Sequence, residues 1–220
     1  HFRQRRLDLS LYALKAILDG FGDDNPPRDK ENAEAHLLRA TIWDEKNERA
    51  AAMGAYKKVV QLRPDIVVAR LKLATYLLES GDAQQALPIL QQALSYDASN
   101  IGLHLSIGDA LRLMGRFDEA KKEFEWVAQR DSALPQVHYN LGLLYVFAPK
   151  VSGMTSKQQV EAAIVELEKY KELRRKTDPS DHEELLKRAK LKKAEIDALA
   201  AANAPQPPPP PPPPPPPATQ

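Results

Sequence analysis

Histidines are the residues of this chain best suited to metal or acid–base chemistry, and three of them, His36, His104 and His138, recur in step at multiples of one spacing. A ladder of imidazoles invites a metal, but equivalent positions on stacked helices lie about 8–10 Å apart or more. The ligands of one zinc ion sit about 2 Å from it. The spacing therefore predicts half-buried packing histidines. "HEELL" at residues 182–186 has Leu186 where a zinc-protease pattern needs its second histidine. No glycine-rich phosphate loop occurs, and the serines fall at helix ends and in loops, where capping accounts for them. Carboxylates stand at helical-surface spacing beside lysines and arginines. The chain reads as non-enzymatic, with no catalytic residue, no cofactor and no metal.

Composition narrows the class further. The 220 residues are 43% hydrophobic, enough for one or two modest cores. A formal net charge of +1 opposes a general nucleic-acid binder, which would show a clustered basic excess. With no cysteine, disulfides and thiolate metal sites are excluded, while a reducing cytosol and an oxidising periplasm both stay open. No apolar run approaches the ~18 residues of a membrane-spanning helix, so no transmembrane segment is expected. The first residue is His1 rather than Met, which reads as a trimmed chain.

The elements that would position any site follow a rhythm. Ala40, Ala74, Gly108 and Gly142 are evenly spaced, each thirty-four positions from the next; twelve positions on come Ala52, Ala86 and Ala120, and after four more Tyr56, Leu90 and Phe124. Turn signals at Gly81-Asp82 and Gly115-Arg116 divide each unit into two helices. Small residues let the helices approach while large ones interlock, and no single pair could bury its apolar face without a neighbour.

"GDALRLMGRFDEAKKEFEWVAQRDSALP" and "VHYNLGLLYVF" resemble tetratricopeptide (TPR) repeats, with Gly108, Gly115, Phe117, Ala120 and Phe124 matching in one copy and Tyr139, Asn140, Leu141, Gly142 and Tyr145 in the next. Arg39 departs from the usual aliphatic residue in the first copy. The resemblance implies an all-α, right-handed α-solenoid whose first helices line a concave groove, and the histidine positions commonly hold a large aromatic in that family. The expected units are an N-terminal helix and loop over 1–32, repeats over 33–66, 67–100, 101–134 and 135–176, a capping helix over 180–203 and a proline-rich tail over 204–220.

The ends carry their own signals. Residues 3–19 predict a helix with Leu9, Tyr12, Ala13, Ala16 and Ile17 on one face, either a cap or the second half of a lost repeat. Ser180 with Glu183 forms a capping-box pattern, and Glu183–Lys187 and Glu184–Arg188 predict a self-paired basic face. Eleven consecutive prolines, Pro207 to Pro217, adopt polyproline II over about 34 Å, serving as a disordered or extended linker or as a ligand for a partner module.

Equivalent residues of successive repeats should stack across the groove. Leu37, Leu71, Leu105 and Tyr139 form one row beside Asn140; Thr41, Thr75, Asp109 and Leu143 a second; Asp44, Leu78, Arg112 and Val146 a third. The groove is expected to be apolar toward its C-terminal half and either to take a peptide or helix of a protein partner, or to be filled by packing within the array or by the chain's own C-terminal helix. Leu37, Thr41 and Gly102 stand where members that grip chaperone tails carry carboxylate clamps, so that partner class is not expected. The fourth copy is interrupted, with Ala163 standing twenty-one positions after Gly142 instead of twelve. The inserted loop, 148–156, is expected to project with Phe147, Val151 and Met154, or to tuck back and seal the end; Ser156 with Gln159 reads as the cap of the next helix.

The reading is a scaffold or adaptor, with an assembly factor for a larger complex, or the regulatory module of a larger enzyme, as alternatives. "GMTSKQQVEAAIVELEKYKELRRKT" and the proline-rich continuation are similar to repeat proteins of myxobacterial envelope and gliding-motility machines, which implies a bacterial cell-envelope, periplasmic or cytoplasmic setting. Neither the partner's identity nor the oligomeric state follows from the sequence.

Overall fold

A computed structural model describes residues 2–175 and 181–203. They form ten helices, α1 (Phe2–Leu18), α2 (Ala33–Glu45), α3 (Arg49–Leu62), α4 (Val67–Glu79), α5 (Ala83–Leu94), α6 (Ile101–Leu113), α7 (Phe117–Arg130), α8 (Pro135–Phe147), α9 (Ser156–Leu173) and α10 (His182–Ala202). The fold is an all-α right-handed solenoid. The proline run and Ser180 lie outside the described residues.

Helix pairs α2–α3, α4–α5, α6–α7 and α8–α9 stack in order. The repeat positions interlock as their sizes demand: a Cβ on Gly108 would stand 2.5 Å from the ring of Phe124, and one on Gly142 2.6 Å from Leu167. Ala40, Ala52, Ala74, Ala86, Ala120, Leu90 and Phe124 are wholly buried. Each large side chain contributes roughly 2–3 kcal/mol by leaving water. The first helices meet across the array, α4 with α6 and α6 with α8, whereas among the described residues no two of α3, α5, α7 and α9 make comparable contact. Helices that approach one another lie on the inside of the curve, so α4, α6 and α8 face the concave side, with α2 as their counterpart in the first pair.

α1 packs on α2 through Leu14 and Leu18, with Leu7, Leu11 and Ile17 beside them. Of the face expected, Ile17 packs here, but Leu9, at 69% exposure, and Tyr12, at 65%, point away. Both stripes have helical spacing, and the leucines win because four of them, Leu7, Leu11, Leu14 and Leu18, recur along one line.

Two capping assignments shift. α9 is capped by Thr155, whose side chain accepts from Gln158 N while Gln158 returns the bond, a capping box one residue before the expected Ser156 and Gln159. At α10 the N-cap is Asp181, with no side-chain cap bond. The basic face of α10 also pairs differently: Lys190 reaches Glu168 at 2.9 Å and Lys193 reaches Glu161 at 3.5 Å, both on α9. Glu183, expected to pair with Lys187, stands 3.6 Å from Lys171 instead. Lys193 also pairs within α10, with Asp197 four positions on at 2.6 Å, so cross-helix and same-helix partners share this face.

Candidate functional site

The histidine positions carry a repeated lock. His104 Nε2 hydrogen-bonds the Ala98 carbonyl at 3.1 Å, His138 Nε2 that of Ser132 at 3.0 Å, and His36 Nε2 that of Lys30 at 2.9 Å. Arg70 fills the equivalent place in the remaining copy, its Nε donating to the Pro64 carbonyl at 2.7 Å. Each bond ties a helix to the loop just upstream of it. The second nitrogen finds a neighbour: His104 Nδ1 meets Glu123 and His138 Nδ1 meets Glu166, both at 2.6 Å, while Arg70 reaches Gln92 at 2.9 Å. Trp126 stacks on His104 and is covered by the Arg130 guanidinium. Imidazole and guanidinium both supply the planar donor that ties each helix to its upstream loop.

On the concave side Leu37, Leu71, Thr75, Leu78, Leu105, Asp109 and Arg112 are all partly exposed, as lining residues would be. Leu71 reaches toward the next helix, where a Cβ on Gly102 would stand 3.3 Å from it. Thr75 spends its hydroxyl on the Leu71 carbonyl of its own helix. Asp109 accepts from Arg112 at 2.6 and 3.1 Å, so these two charges are mutually satisfied. Asp44 accepts from Tyr76 at 2.6 Å and Lys72 at 2.7 Å. Burial works to raise its pKa, but the bonds from Lys72 and Tyr76 outweigh that and hold it below the ordinary value. In turn, burial and then the Asp44 carboxylate push Tyr56 and Tyr76 up to about 12.

At the C-terminal end the chain's own last helix fills the groove. Tyr139, Leu143 and Val146 pack against the cluster of Leu167, Leu185 and Leu186, so α10 covers the apolar residues that were to make this half of the groove receptive. Tyr139 donates to Asp181 at 2.6 Å, and burial and then that carboxylate push the phenol upward. The seam between α8, α9 and α10 leaves a cavity of only about 50 Å³, beside Tyr145, Val146, Val160 and Ala189. Asn140 remains partly exposed on α8. The open concave surface therefore runs over α2, α4 and α6.

The inserted loop does not project. Val151 is fully buried. Gln159 organises it: its Nε2 donates to the Tyr145 carbonyl at 3.0 Å and the Ala148 carbonyl at 2.7 Å, and its Oε1 accepts from Val151 N at 3.1 Å. Ser152 N donates to Asp118 on α7 at 2.8 Å. The bond from the Ser152 hydroxyl and this one draw the Asp118 pKa down. Met154 is half-buried against the core, and Phe147, 47% exposed, lies under the Arg188 guanidinium at 5.1 Å. An amide that satisfies three backbone groups at once removes the cost of burying them, and Val151 then gains by filling the gap. Sequence alone offered a capping role for Gln159 and no role for Asp118. Arg70 was findable, standing midway between His36 and His104 at the repeat's own spacing.

Comparison with known proteins agrees with this architecture. Residues 77–142 match the tetratricopeptide repeat family model. BBSome complex member BBS4 of Bos taurus is 26% identical over 110 residues, half of this chain but 21% of that protein's length. Among solved structures, YrrB, described as a TPR protein with an unusual peptide-binding site, superposes with a TM-score of 0.61 at 21% identity, covering 86% of this chain and 83% of its own. PilW, a type IV pilus biogenesis factor, gives a TM-score of 0.64 at 16% identity over 92% of this chain and 88% of its own. At such identities the likeness is one of fold.

Proposed function

From a chain whose residues 77–142 are tetratricopeptide repeats in a solenoid of that kind, we propose a non-catalytic scaffold or adaptor that holds a peptide or short helix of a partner protein on the concave surface of α2, α4 and α6. Repeats of this family generally mediate contacts between proteins. The observation that carries the reading is the row of partly exposed Leu37, Leu71 and Leu105, with the partly exposed Leu78 and the self-satisfied pair Asp109 and Arg112 in the rows beside it. Apolar side chains of a ligand would gain by covering that track, and the pre-stacked helices spend little entropy on binding. Tyr139, Leu143 and Val146 border the track where α10 begins to cover it. A cell-envelope or motility assembly is the setting carried over from the sequence resemblance.

The test is selection of peptides from a random displayed library on the intact chain, followed by titration of a selected peptide into leucine-methyl-labelled protein. Resonances of Leu37, Leu71 and Leu105 should move, and Leu71→Glu should weaken binding about tenfold or more while helicity is kept. Shifts confined to other leucines would defeat the assignment.

A further inference from the structure

A neutral imidazole carries one N–H and one bare nitrogen, whereas an imidazolium carries two N–H groups; a carboxylate and a backbone carbonyl only accept. At His104 and His138 both nitrogens face such acceptors. Nε2 meets a backbone carbonyl, and Nδ1 meets Glu123 or Glu166 at 2.6 Å. A neutral ring would leave one of those contacts without a proton. His36 is built the other way: Nε2 donates to the Lys30 carbonyl, and Nδ1 receives the Arg39 guanidinium at 3.1 Å, which only a bare nitrogen can do. Arg70, with donors to spare, reaches the Pro64 carbonyl and the uncharged Gln92. Where histidine must donate twice, the partner is a glutamate; where arginine does so, it is not.

We propose that His104–Glu123 and His138–Glu166 are proton-dependent clasps, closing α6 on α7 and α8 on α9 only while the ring is an imidazolium. The proton belongs to the ring rather than the carboxyl, since imidazole is the stronger base. Other charged groups nearby are already engaged. Arg130 lies over Trp126, which stacks on His104, and Glu125, which shares the surroundings of Tyr145 with Glu166, is bonded to Lys121 at 2.6 Å. Among the described residues Glu123 and Glu166 pair with no cation but their histidines.

The fold thus holds protons that an unfolded chain releases above about pH 6.5, so the stability they confer is present below that pH and is lost as pH rises. The corresponding positions of the first two repeats, His36 and Arg70, need no such proton. An alkaline shift therefore loosens the C-terminal half of the array selectively, including α9, on which α10 rests. His182 works in the opposite sense: burial and then Arg174 hold its pKa low, so its share is lost as pH falls.

Two measurements on the full chain test this. Nitrogen-15 spectra at about pH 7.5 should show both ring nitrogens of His104 and His138 protonated and one nitrogen of His36 bare. In urea melts the folding constant should fall about tenfold or more between about pH 6.5 and about pH 8. Glu123→Gln with Glu166→Gln should flatten that fall with helicity unchanged, because an amide donates to a bare Nδ1 and the extra proton is no longer needed. A bare nitrogen in His104 or His138 overturns the proposal whatever the variant does. So does a wild-type folding constant that holds level, or a fall that the two glutamines leave intact.

Discussion

Arg70 Nε donates to the Pro64 carbonyl at 2.7 Å, the bond that His138 makes to Ser132 at 3.0 Å two repeats later. Two side chains of different chemistry thus perform one task at the same station of the array. His138, 2% exposed, is the more deeply buried. His138→Ala should leave the Ser132 carbonyl and Glu166 without their partner and open a void, costing about 2–4 kcal/mol. The melting temperature should fall by several degrees, whereas His104→Arg, which keeps a planar donor, should fall less; equal losses would refute the lock.

Gln159 makes a sharper case. Gln159→Ala removes two donors and one acceptor from a buried junction and should cost about 2–3 kcal/mol. Gln159→Glu should be at least as damaging at neutral pH, since a carboxylate would face the Tyr145 and Ala148 carbonyls where the amide donated. Hydrogen exchange at residues 148–154 should rise in both. Unchanged protection there would mean the loop is held by Val151 alone.

The glycines should differ in sign. Gly108→Ala places a Cβ 2.5 Å from the Phe124 ring and should destabilise, and Gly108→Leu should do so by several kcal/mol. Gly54, mid-way along α3 with nothing within 4 Å of its Cβ position, should gain about 0.5–1 kcal/mol as alanine. Thermal melts of the three variants decide this, and destabilisation by Gly54→Ala would contradict the geometry.

Acid should act through Asp44. Its folded-state pKa is depressed below 3.8, so the stability it confers is present above that ordinary value and is lost as pH falls through the lower folded one. Between about pH 5 and pH 3 the wild type should therefore lose more stability than Asp44→Asn, whose curve should run flatter. At the alkaline end Tyr56 and Tyr76, both raised to about 12, should stay protonated beyond the ordinary phenol range in an ultraviolet titration. Parallel acid curves, or full ionisation near pH 10, would remove Asp44 from the network.

What the sequence by itself determined is the repeat. Ala40, Ala74, Gly108 and Gly142 at one spacing, with Tyr56, Leu90 and Phe124 in step behind them, encode helix pairs because a recurring period of small and large residues has few other ways to be buried. Local spacing could not say which of two apolar stripes on α1 turns inward, since Leu9 and Tyr12 satisfy the same helical period as Leu11 and Leu14. Nor could it say that Gln159, well past Phe147 in the chain, would gather the inserted loop, or that α10 would cover Tyr139, Leu143 and Val146. Those choices rest on contacts between separate segments of the chain. Such contacts depend on which neighbour offers the deeper burial and the unmet backbone groups, and only the assembled tertiary structure sets that competition.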